Sequence, residues 1–465
     1  MSALKQKLYS ISPALFQNLM VTLYGAKIHW ERYGAKFRRK IEEFEKNQWL
    51  SYEELVNYQN EKLRNLMSHV YHNVPYYHNI MKRLKLGPED VKTVKDLAQL
   101  PLLTKKEVKE NFVDLQARNY PRWRLKMGHT SGTTGSPSQF LWDNNICVAN
   151  NVVDWRQKHW AGLAYPDKIA LLVGRVIVPL KQNDPPFWRT NWLHRQLFLS
   201  SFHLQEQNLK HYVEKLEDFR PKALEAYPST AFILASYLNK RKETFPLSCV
   251  LTSSETLFPF QRERIEKAFE CRVFDFYGMA ERVVFAGECS AHRGHHLNMD
   301  YGIVEILKED GQPALPGEMA RLVATGLHNF GMPLIRYVTN DVTALKKEEC
   351  PCGRKFPLME DITTKAEDII TTKAGRYISP SVLTHPFKPL HHIVESQIIQ
   401  EDREHLLVKI VKGEDYGEKD TEILLSGLQE RLGEEMQIGI EFVDSIPRTR
   451  AGKFRWVISK VPLGL

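Results

Sequence analysis

The chain has 465 residues, of which 43% are hydrophobic and 26% charged, and this composition is typical of a folded globular protein. Its length exceeds that of one ordinary domain and predicts a large unit accompanied by a smaller one. The formal charge of +8 is modest, acidic and basic residues are interspersed and no DNA- or RNA-binding motif occurs, so we expect no nucleic-acid partner.

The amino-terminal segment as far as Arg39 is basic and aromatic. It lacks an apolar core followed by a small-residue cleavage site, so we do not expect a secretion signal. An amphipathic helix packed on its own domain is the favoured interpretation, and weak contact with an anionic membrane surface is the alternative. No run of 18 apolar residues predicts a transmembrane segment. Six unevenly spaced cysteines favour a reducing compartment, so we expect a cytoplasmic protein.

The first 280 residues alternate between helical and strand patterns. Ser51 and Glu54 form a capping box that begins a helix over 51–70. Further along, we predict strands at 169–180, 223–227, 247–255 and 271–277, and helices at 204–219, 230–240 and 260–269. This alternation predicts an α/β fold with a parallel sheet covered by helices, and ligands bind such sheets outside the carboxyl ends of the strands.

The pattern changes after Gly302. Short alternating strands at 302–307, 319–325 and 333–338 predict an antiparallel or barrel-like subdomain. A strand at 405–411, a helix at 421–432 and a strand at 437–443 predict a small α+β domain. We place a hinge near residue 365, which divides the chain into an amino-terminal domain (1–365) and a small mobile carboxy-terminal domain (366–465).

The stretch HTSGTTGSPSQF, at 129–140, combines small hydroxyl side chains with glycines. Its backbone amides and hydroxyls can donate hydrogen bonds to phosphate oxygens, and its glycines allow the main chain to approach a ligand closely. It lacks the Gly-Lys-Ser/Thr ending of a Walker loop. Taken alone, it is equally compatible with a flexible surface loop.

Four other segments place reactive side chains where a nucleotide would bind. Tyr277 can stack on a base, Glu281 can hold a divalent cation, and Asp341, placed at a strand end, can accept the hydroxyls of a ribose. TSSET, at 252–256, ends the neighbouring strand, and Lys453 lies on a glycine-containing basic turn suited to stabilising phosphate charge. Core aromatics, a strand-ending carboxylate and a surface turn are the structural alternatives.

In this order and at these separations, the five segments resemble the adenylate-forming ligase superfamily of acyl-CoA synthetases, luciferases and adenylation domains. TSGTTGSP is similar to its phosphate loop, YGMAE to its adenine and magnesium motif, RYVTND to its ribose motif and PRTRAGK to its catalytic-lysine motif. Three further stretches resemble the phenylacetate–CoA ligase family, especially the branch found in capsule and exopolysaccharide loci. They are VPYYHNIMKRLKLGPEDVKTVKDLAQLPLLTKKEV, FRPKALEAYPST and SSETLFPFQRERIEKAF. The resemblance covers essentially the whole chain.

The resemblance implies that a carboxylate attacks the α-phosphate of ATP, giving an acyl-adenylate and pyrophosphate, and that the acyl group then passes to CoA. It also implies Mg²⁺ and a role in surface polysaccharide biosynthesis. Transfer of the acyl group to an amine on a sugar, amino acid or carrier is one alternative. A catalytically silent scaffold protein of the same fold is another. Retention of both Glu281 and Lys453 argues against the scaffold. The acid is not identified, and monomer and homodimer are both compatible.

The resemblance also assigns roles to residues. Lys453 bridges the charge on the phosphate and the attacking carboxylate, and Glu281 holds magnesium. The ATP-binding residues are Thr130, Ser131, Gly132, Thr133, Thr134 and Gly135 at the β- and γ-phosphates, Ser254, Glu255 and Tyr277 at adenine, and Asp341 at the ribose. Gly278 and Lys365 are also expected to bind ATP. The hinge motif departs from the family's usual Gly-Arg-x-Asp-Asp. Lys365 stands in place of the arginine and cannot form the arginine's paired hydrogen bonds to one anion, and Glu367 stands in place of the hinge aspartate. His203, Tyr227 and Pro228 are expected to border the acid pocket.

Cysteines and histidines form a second constellation. Three thiolates and one imidazole suffice for a tetrahedral structural zinc site. We assign as ligands Cys289, His296, Cys350 and Cys352. His296 is favoured over His295 because it opens the following apolar stretch, and some family members carry Cys and His at matching places. Buried free thiols are the alternative.

Overall fold

The structure is a computed structural model that describes residues 8–129, 139–173, 175, 177–179, 182–204, 206–362, 370–373, 377–378, 383, 385–387, 390, 392–447 and 455–461. Nine predicted site residues lie outside these described ranges. They are Thr130, Ser131, Gly132, Thr133, Thr134, Gly135, Lys365, Glu367 and Lys453.

The helices lie mainly in the amino-terminal two thirds of the chain. They are α1 (Ala14–Arg32), α2 (Ala35–Asn47), α3 (Tyr52–Asn73), α4 (Pro75–Leu84), α5 (Lys105–Glu110), α6 (Asn144–Trp160), α7 (Glu206–Phe219), α8 (Pro228–Arg241), α9 (Pro259–Phe269) and α10 (Glu418–Leu432). The capping box predicted for α3 is confirmed, since Ser51 N donates to Glu54 Oε2 at 2.8 Å and Glu54 N donates to Ser51 Oγ at 3.2 Å. No helix in the described ranges combines the length and the apolar character needed to cross a bilayer.

The strands of the amino-terminal part form one large mixed sheet and a separate hairpin. They are β1 (Lys126–His129), β2 (Gln139–Trp142), β3 (Ile169–Leu172), β4 (Trp188–Asn191), β5 (Gln196–Leu199), β6 (Ala223–Ala226), β7 (Cys249–Ser253), β8 (Arg272–Gly278), β9 (Phe285–Glu288) and β10 (His295–Leu297). Among the described residues, the large sheet has the order β14-β10-β9-β8-β7-β6-β3-β5-β4, where β14 is Leu358–Met359. Strands β5, β3, β6, β7 and β8 are parallel, which confirms the α/β prediction, and the edges are antiparallel.

One strand prediction in this sheet is too long. The apolar run at 169–180 forms a strand only over Ile169–Leu172. Arg175 N then donates to Val173 O at 2.6 Å and Ile177 N donates to Arg175 O at 2.9 Å, so the backbone closes tight turns instead of pairing with a neighbouring strand.

The antiparallel subdomain is a three-stranded sheet of β11 (Gly302–Leu307), β12 (Ala320–Gly326) and β13 (Tyr337–Thr343). The last strand begins four residues later than the predicted 333–338, because Arg336 has a positive φ of 52° that interrupts the extended backbone. Asp341 therefore lies inside β13 and not at its end.

The carboxy-terminal part forms a separate α+β unit. Its strands are β15 (Ile370–Thr371), β16 (Tyr377–Ile378), β17 (Ile393–Gln400), β18 (His405–Lys412), β19 (Gln437–Phe442) and β20 (Val457–Ser459). The described four-stranded sheet has the order β19-β18-β17-β20, and α10 buries Leu424, Leu428 and Leu432 in its core. The sequence analysis missed β17, the central strand on which β18 and β20 pair.

Candidate adenylate-binding site and cysteine–histidine cluster

Tyr277 and Asp341 form a direct pair although 64 positions separate them. Tyr277 lies near the carboxyl end of β8, and its hydroxyl donates to Asp341 Oδ2 on β13 at 2.5 Å. Burial, followed by the charge of Asp341, raises the pKa of Tyr277 well above its usual value. The phenol therefore keeps its proton and fixes the carboxylate as a hydrogen-bond acceptor.

A second pair runs in the opposite direction between the same two segments. Tyr337, at the start of β13, donates from its hydroxyl to Glu281 Oε1 at 2.8 Å, and both side chains are buried. Burial, with the charge of Glu281, raises the pKa of Tyr337, so this phenol also remains a donor. The sequence analysis missed Tyr337, whose only signal is its place in the motif RYVTND. Each motif thus supplies one tyrosine and one carboxylate to the other.

The hairpin β1–β2, which flanks the glycine-rich stretch, contacts the Glu281 turn. Trp142 Nε1 on β2 donates to the carbonyl of Ala280 at 3.1 Å, and the guanidinium of Arg282 lies 3.8 Å from the Trp142 ring centroid. Gly128 on β1 is required by this packing, because an added Cβ would lie 2.0 Å from the tryptophan ring. The described residues on either side of the predicted phosphate loop thus lie beside the predicted magnesium ligand.

Ser254 and Glu255 follow β7, whose parallel pairing with β8 aligns Ser253 with Phe276. Ser254 takes a positive φ of 71°, which turns the chain sharply at the carboxyl edge of the sheet. This edge is where Tyr277 and Gly278 end β8. The structure therefore places the three predicted adenine-contacting residues, and Gly278 with them, at the ends of two adjacent strands.

The predicted acid-pocket residues follow two other strands of the sheet. Tyr227 and Pro228 connect β6 to α8, and His203 follows β5. His203 is buried, stacks on Phe187 with ring centroids 5.2 Å apart, and contacts Ser200 Oγ through Nδ1 at 2.7 Å. Strand β3 lies between β5 and β6, so His203 and Tyr227 follow strands that are not neighbours in the sheet. Their role in an acid pocket stays a prediction.

The carboxy-terminal unit contacts the large sheet close to this edge. The ring of Trp456, three positions after Lys453 in the sequence, packs on the ring of Phe258 with centroids 5.0 Å apart. Phe258 precedes α9 and follows the Ser254–Glu255 turn. Trp456, which follows the predicted lysine turn, therefore lies beside the segment predicted to contact adenine.

Cys289, His296, Cys350 and Cys352 come together in space. Their potential ligand atoms all lie within 4.8 Å of one another. Cys289 Sγ is 3.6 Å from Cys350 Sγ, and His296 Nε2 is 3.4 Å from Cys352 Sγ. Burial raises the pKa of Cys289 to about 12. For Cys352, burial also acts to raise the pKa, but its hydrogen bonds, above all the one with His296, have the larger effect and lower the pKa to about 5.

The two neighbouring histidines of β10 point to opposite faces of the sheet, as successive strand residues do. His296 Nδ1 contacts the carbonyl of Phe356 at 3.2 Å, which leaves Nε2 facing the thiols. His295 lies between two carboxylates, with Nε2 3.1 Å from Asp275 Oδ2 and Nδ1 3.1 Å from Asp361 Oδ1. The imidazole that faces the cysteines is therefore that of His296.

The chain is similar in sequence and in structure to known proteins. The chain is 28% identical to the protein CapK of Staphylococcus aureus, over 98% of this chain and 99% of that protein. It is 26% identical to phenylacetate-coenzyme A ligase of Thermus thermophilus, over 68% of this chain and 72% of the relative. Residues 370–460 match the family model of the CapK C-terminal domain. The crystal structure of 2-hydroxyisobutyryl-CoA ligase with 2-HIB-AMP superposes with a TM-score of 0.71 at 21% identity, covering 88% of this chain and 90% of that one.

The large mixed sheet, the antiparallel subdomain and the small carboxy-terminal unit reproduce the fold of 2-hydroxyisobutyryl-CoA ligase. Together with the sequence similarity to phenylacetate-coenzyme A ligases, this fold confirms the enzyme class expected from the motifs, an adenylate-forming ligase. Within that class, the chain is similar over nearly its full length to CapK, and over about 70% of its length to four phenylacetate-coenzyme A ligases.

Proposed function

We propose that this ligase activates a carboxylic acid with ATP to an acyl-adenylate and then transfers the acyl group to CoA. The observation that carries the proposal is the reciprocal pairing of Tyr277 with Asp341 and of Tyr337 with Glu281 at the carboxyl edge of the sheet. This pairing places two buried carboxylates and an aromatic ring where open α/β sheets bind nucleotides. The relatives named as phenylacetate-coenzyme A ligases support CoA as the acceptor.

Each residue of the site has a distinct task in this proposal. Asp341 accepts the hydroxyls of the ribose while Tyr277 stacks on adenine, and Ser254 and Glu255 border the base. Glu281, oriented by Tyr337, would hold Mg²⁺, which supplies charge neutralisation to the phosphates. Lys453 donates to the attacking carboxylate and to the α-phosphate as charge develops there, and the hydroxyls and amides of 130–135 hold the outer phosphates.

Pyrophosphate release tests this function directly. We would supply aromatic, aliphatic and amino acids one at a time and measure release with and without CoA. Release that depends on the acid, with a CoA thioester formed when CoA is present, is the expected result. An acyl-adenylate that reacts with amines but not with CoA would favour the amine acceptor. Absence of acid-dependent release with every acid would leave only the catalytically silent scaffold.

A role in surface polysaccharide biosynthesis is part of the proposal, with the resemblance to the capsule-locus branch as its support. Comparing acyl groups on the surface polysaccharide before and after deletion of the gene tests this role, and an unchanged acyl content would contradict it. A cytoplasmic location is also proposed; its support is that none of the six cysteines forms a disulfide.

We further propose that Cys289, His296, Cys350 and Cys352 hold a structural zinc ion. The donor set fits, because four ligand atoms converge within 4.8 Å and the Nδ1 contact of His296 leaves Nε2 as its ligand atom. Four protein ligands leave no open coordination position, so the ion would tie the β9–β10 hairpin to the turn at 350–352 and take no part in the reaction.

Replacing Asp341 with asparagine should raise the KM for ATP roughly tenfold, because hydrogen bonds to a charged acceptor are about twice as strong as neutral ones. Asparagine keeps the shape of the side chain and an oxygen that can accept from Tyr277. Steady-state kinetics with ATP varied at saturating acid would measure the effect. Asp310→Asn, on an exposed turn of the same subdomain, is the matched control. An unchanged KM for ATP would remove Asp341 from the ribose site.

We propose that the hinge near residue 365 separates domains 1–365 and 366–465, which rotate between the two half-reactions. Glu367→Pro should then slow acyl transfer about a hundredfold and adenylation much less, because proline fixes the backbone at the hinge. Single-turnover assays of each half-reaction measure both rates. Glu367→Ala, which keeps the backbone free, should slow neither step to that degree. Equal losses in both steps would place the hinge elsewhere.

A further inference from the structure

Helix α1 faces the protein with polar groups. Gln17 is buried, Asn18 Oδ1 accepts from Thr190 N at 2.9 Å, and Thr22 Oγ1 accepts from Trp192 N at 3.2 Å. These contacts attach the helix to the edge strand β4 and the residue after it. The buried side of this helix is therefore held by hydrogen bonds as well as by the packing of Val21 against the core.

The opposite side of α1 is apolar and exposed to solvent. Leu15 is 72% exposed and Trp30 is 88% exposed. Between them Phe16, Leu19 and Leu23 are exposed as well, and the helical period places all five on one arc of about 100°. A helix that folded only to cover its own domain would bury this arc. Its exposure leaves a continuous apolar surface that a further partner can cover.

The charge of the whole protein is concentrated in the same part of the chain. Residues 1–40 contain eight lysines and arginines and a single acidic residue, Glu31, and so carry +7 of the total +8. Glu31 itself is neutralised, because Lys126 contacts its carboxylate and Lys27 lies 4.0 Å from it. The apolar arc thus lies on a strongly cationic segment of an otherwise nearly neutral chain.

The contact between Lys126 and Glu31 brings a second exposed segment to the carboxyl end of α1. Trp123 is 78% exposed, and the guanidinium of Arg124 lies 4.7 Å from its ring centroid. Arg122 on the same turn is exposed too. Tryptophans and arginines next to an apolar surface are the side chains that proteins place at the boundary between lipid headgroups and acyl chains.

We propose that α1 and the turn at 122–126 form a docking surface for an anionic lipid bilayer, and we call it the docking face. The apolar arc would enter the boundary between headgroups and acyl chains while Lys27, Arg122 and Arg124 contact lipid phosphates. A second copy of the chain fits this face poorly, because two segments of +7 would repel each other. The proposal is independent of the ligase reaction and concerns where the enzyme acts.

Vesicle sedimentation with the full chain tests the docking face. We expect the wild type to bind vesicles of mixed phosphatidylglycerol and phosphatidylcholine far more tightly than vesicles of phosphatidylcholine alone, and less tightly at high salt. Leu15→Ser/Leu19→Ser/Leu23→Ser should abolish binding. Lys27→Gln/Arg122→Gln/Arg124→Gln should weaken it by on the order of a hundredfold, given the attraction of each cation to an anionic surface.

Val113→Ser/Leu315→Ser, which removes exposed apolar side chains elsewhere, is the matched control and should bind like the wild type. Circular dichroism and adenylation without vesicles should be unchanged in all these variants, because none of the substituted residues lies in the nucleotide site. Equal binding to both vesicle types, or binding that survives the triple leucine substitution, would overturn the proposal. A wild-type dimer that this substitution dissociates, without vesicle binding, would identify the face as an interface between copies.

Discussion

Replacement of Lys453 with alanine should lower acyl-adenylate formation by roughly 10²–10³-fold, the loss typical of removing one donor that stabilises charge in a transition state. ATP should bind almost as before, because the interaction becomes strong only as charge develops during the attack of the carboxylate. Acid-dependent pyrophosphate release in a single turnover and nucleotide affinity by calorimetry, measured on the same preparation, would separate the two quantities.

Lys460→Ala is the matched control for this experiment. Lys460 lies in the same carboxy-terminal unit and is paired with Glu401 on the protein surface, so its removal should leave both measurements unchanged. The packing of Trp456, three positions after Lys453 in the sequence, on Phe258 is compatible with the predicted role of the lysine. Adenylate formation at the wild-type rate in Lys453→Ala would show that another group stabilises the phosphate.

The second large effect should come from the cysteine–histidine cluster. We expect wild-type protein to contain about one zinc per chain, and Cys350→Ser/Cys352→Ser to contain none. The double variant should also melt at a lower temperature, because the free energy of zinc binding, roughly 10–16 kcal/mol in zinc-finger peptides, contributes to folding when the ligands must be gathered. Elemental analysis and calorimetric melting measure the two outcomes.

Because of where the cluster lies, loss of the zinc ion should affect the activity only indirectly, through the stability of the fold. Cys289 follows β9 and His296 lies on β10, which pairs with β14 just beyond the turn at 350–352. Wild-type activity should therefore not require added zinc. Cys271→Ser, at a half-buried thiol outside the cluster, is the matched control. If the wild-type protein contained no metal, or if the double variant melted at an unchanged temperature, the cysteines would be buried free thiols and not zinc ligands.

Local sequence signals predicted a large part of this structure. The Ser51–Glu54 capping box depends only on residues three apart, and the structure reproduces it at 2.8 and 3.2 Å. The alternation of apolar runs with helical periods predicted the parallel strands β3, β6, β7 and β8, because a strand buried on both faces leaves a continuous apolar run. The order of the nucleotide motifs along the chain indicated the enzyme class.

The sequence did not predict how these elements meet. The pairings of Tyr277 with Asp341 and of Tyr337 with Glu281 join residues 64 and 56 positions apart, and no local propensity encodes such contacts. The sequence already favours His296 over His295, and the structure adds the geometry: successive residues of β10 point to opposite faces, so His296 faces Cys352 and His295 faces Asp275.

Helix α1 shows the same division most clearly. Its sequence determines that Leu15, Leu19, Leu23 and Trp30 share one side and that the helix carries a lysine and an arginine near its carboxyl end. Only the tertiary structure decides that this apolar side faces solvent while Gln17 and Asn18 face the protein. The physical reason is that helical periodicity fixes the relative directions of side chains, whereas the buried direction is set by the polar edge of β4, which needs hydrogen-bond partners.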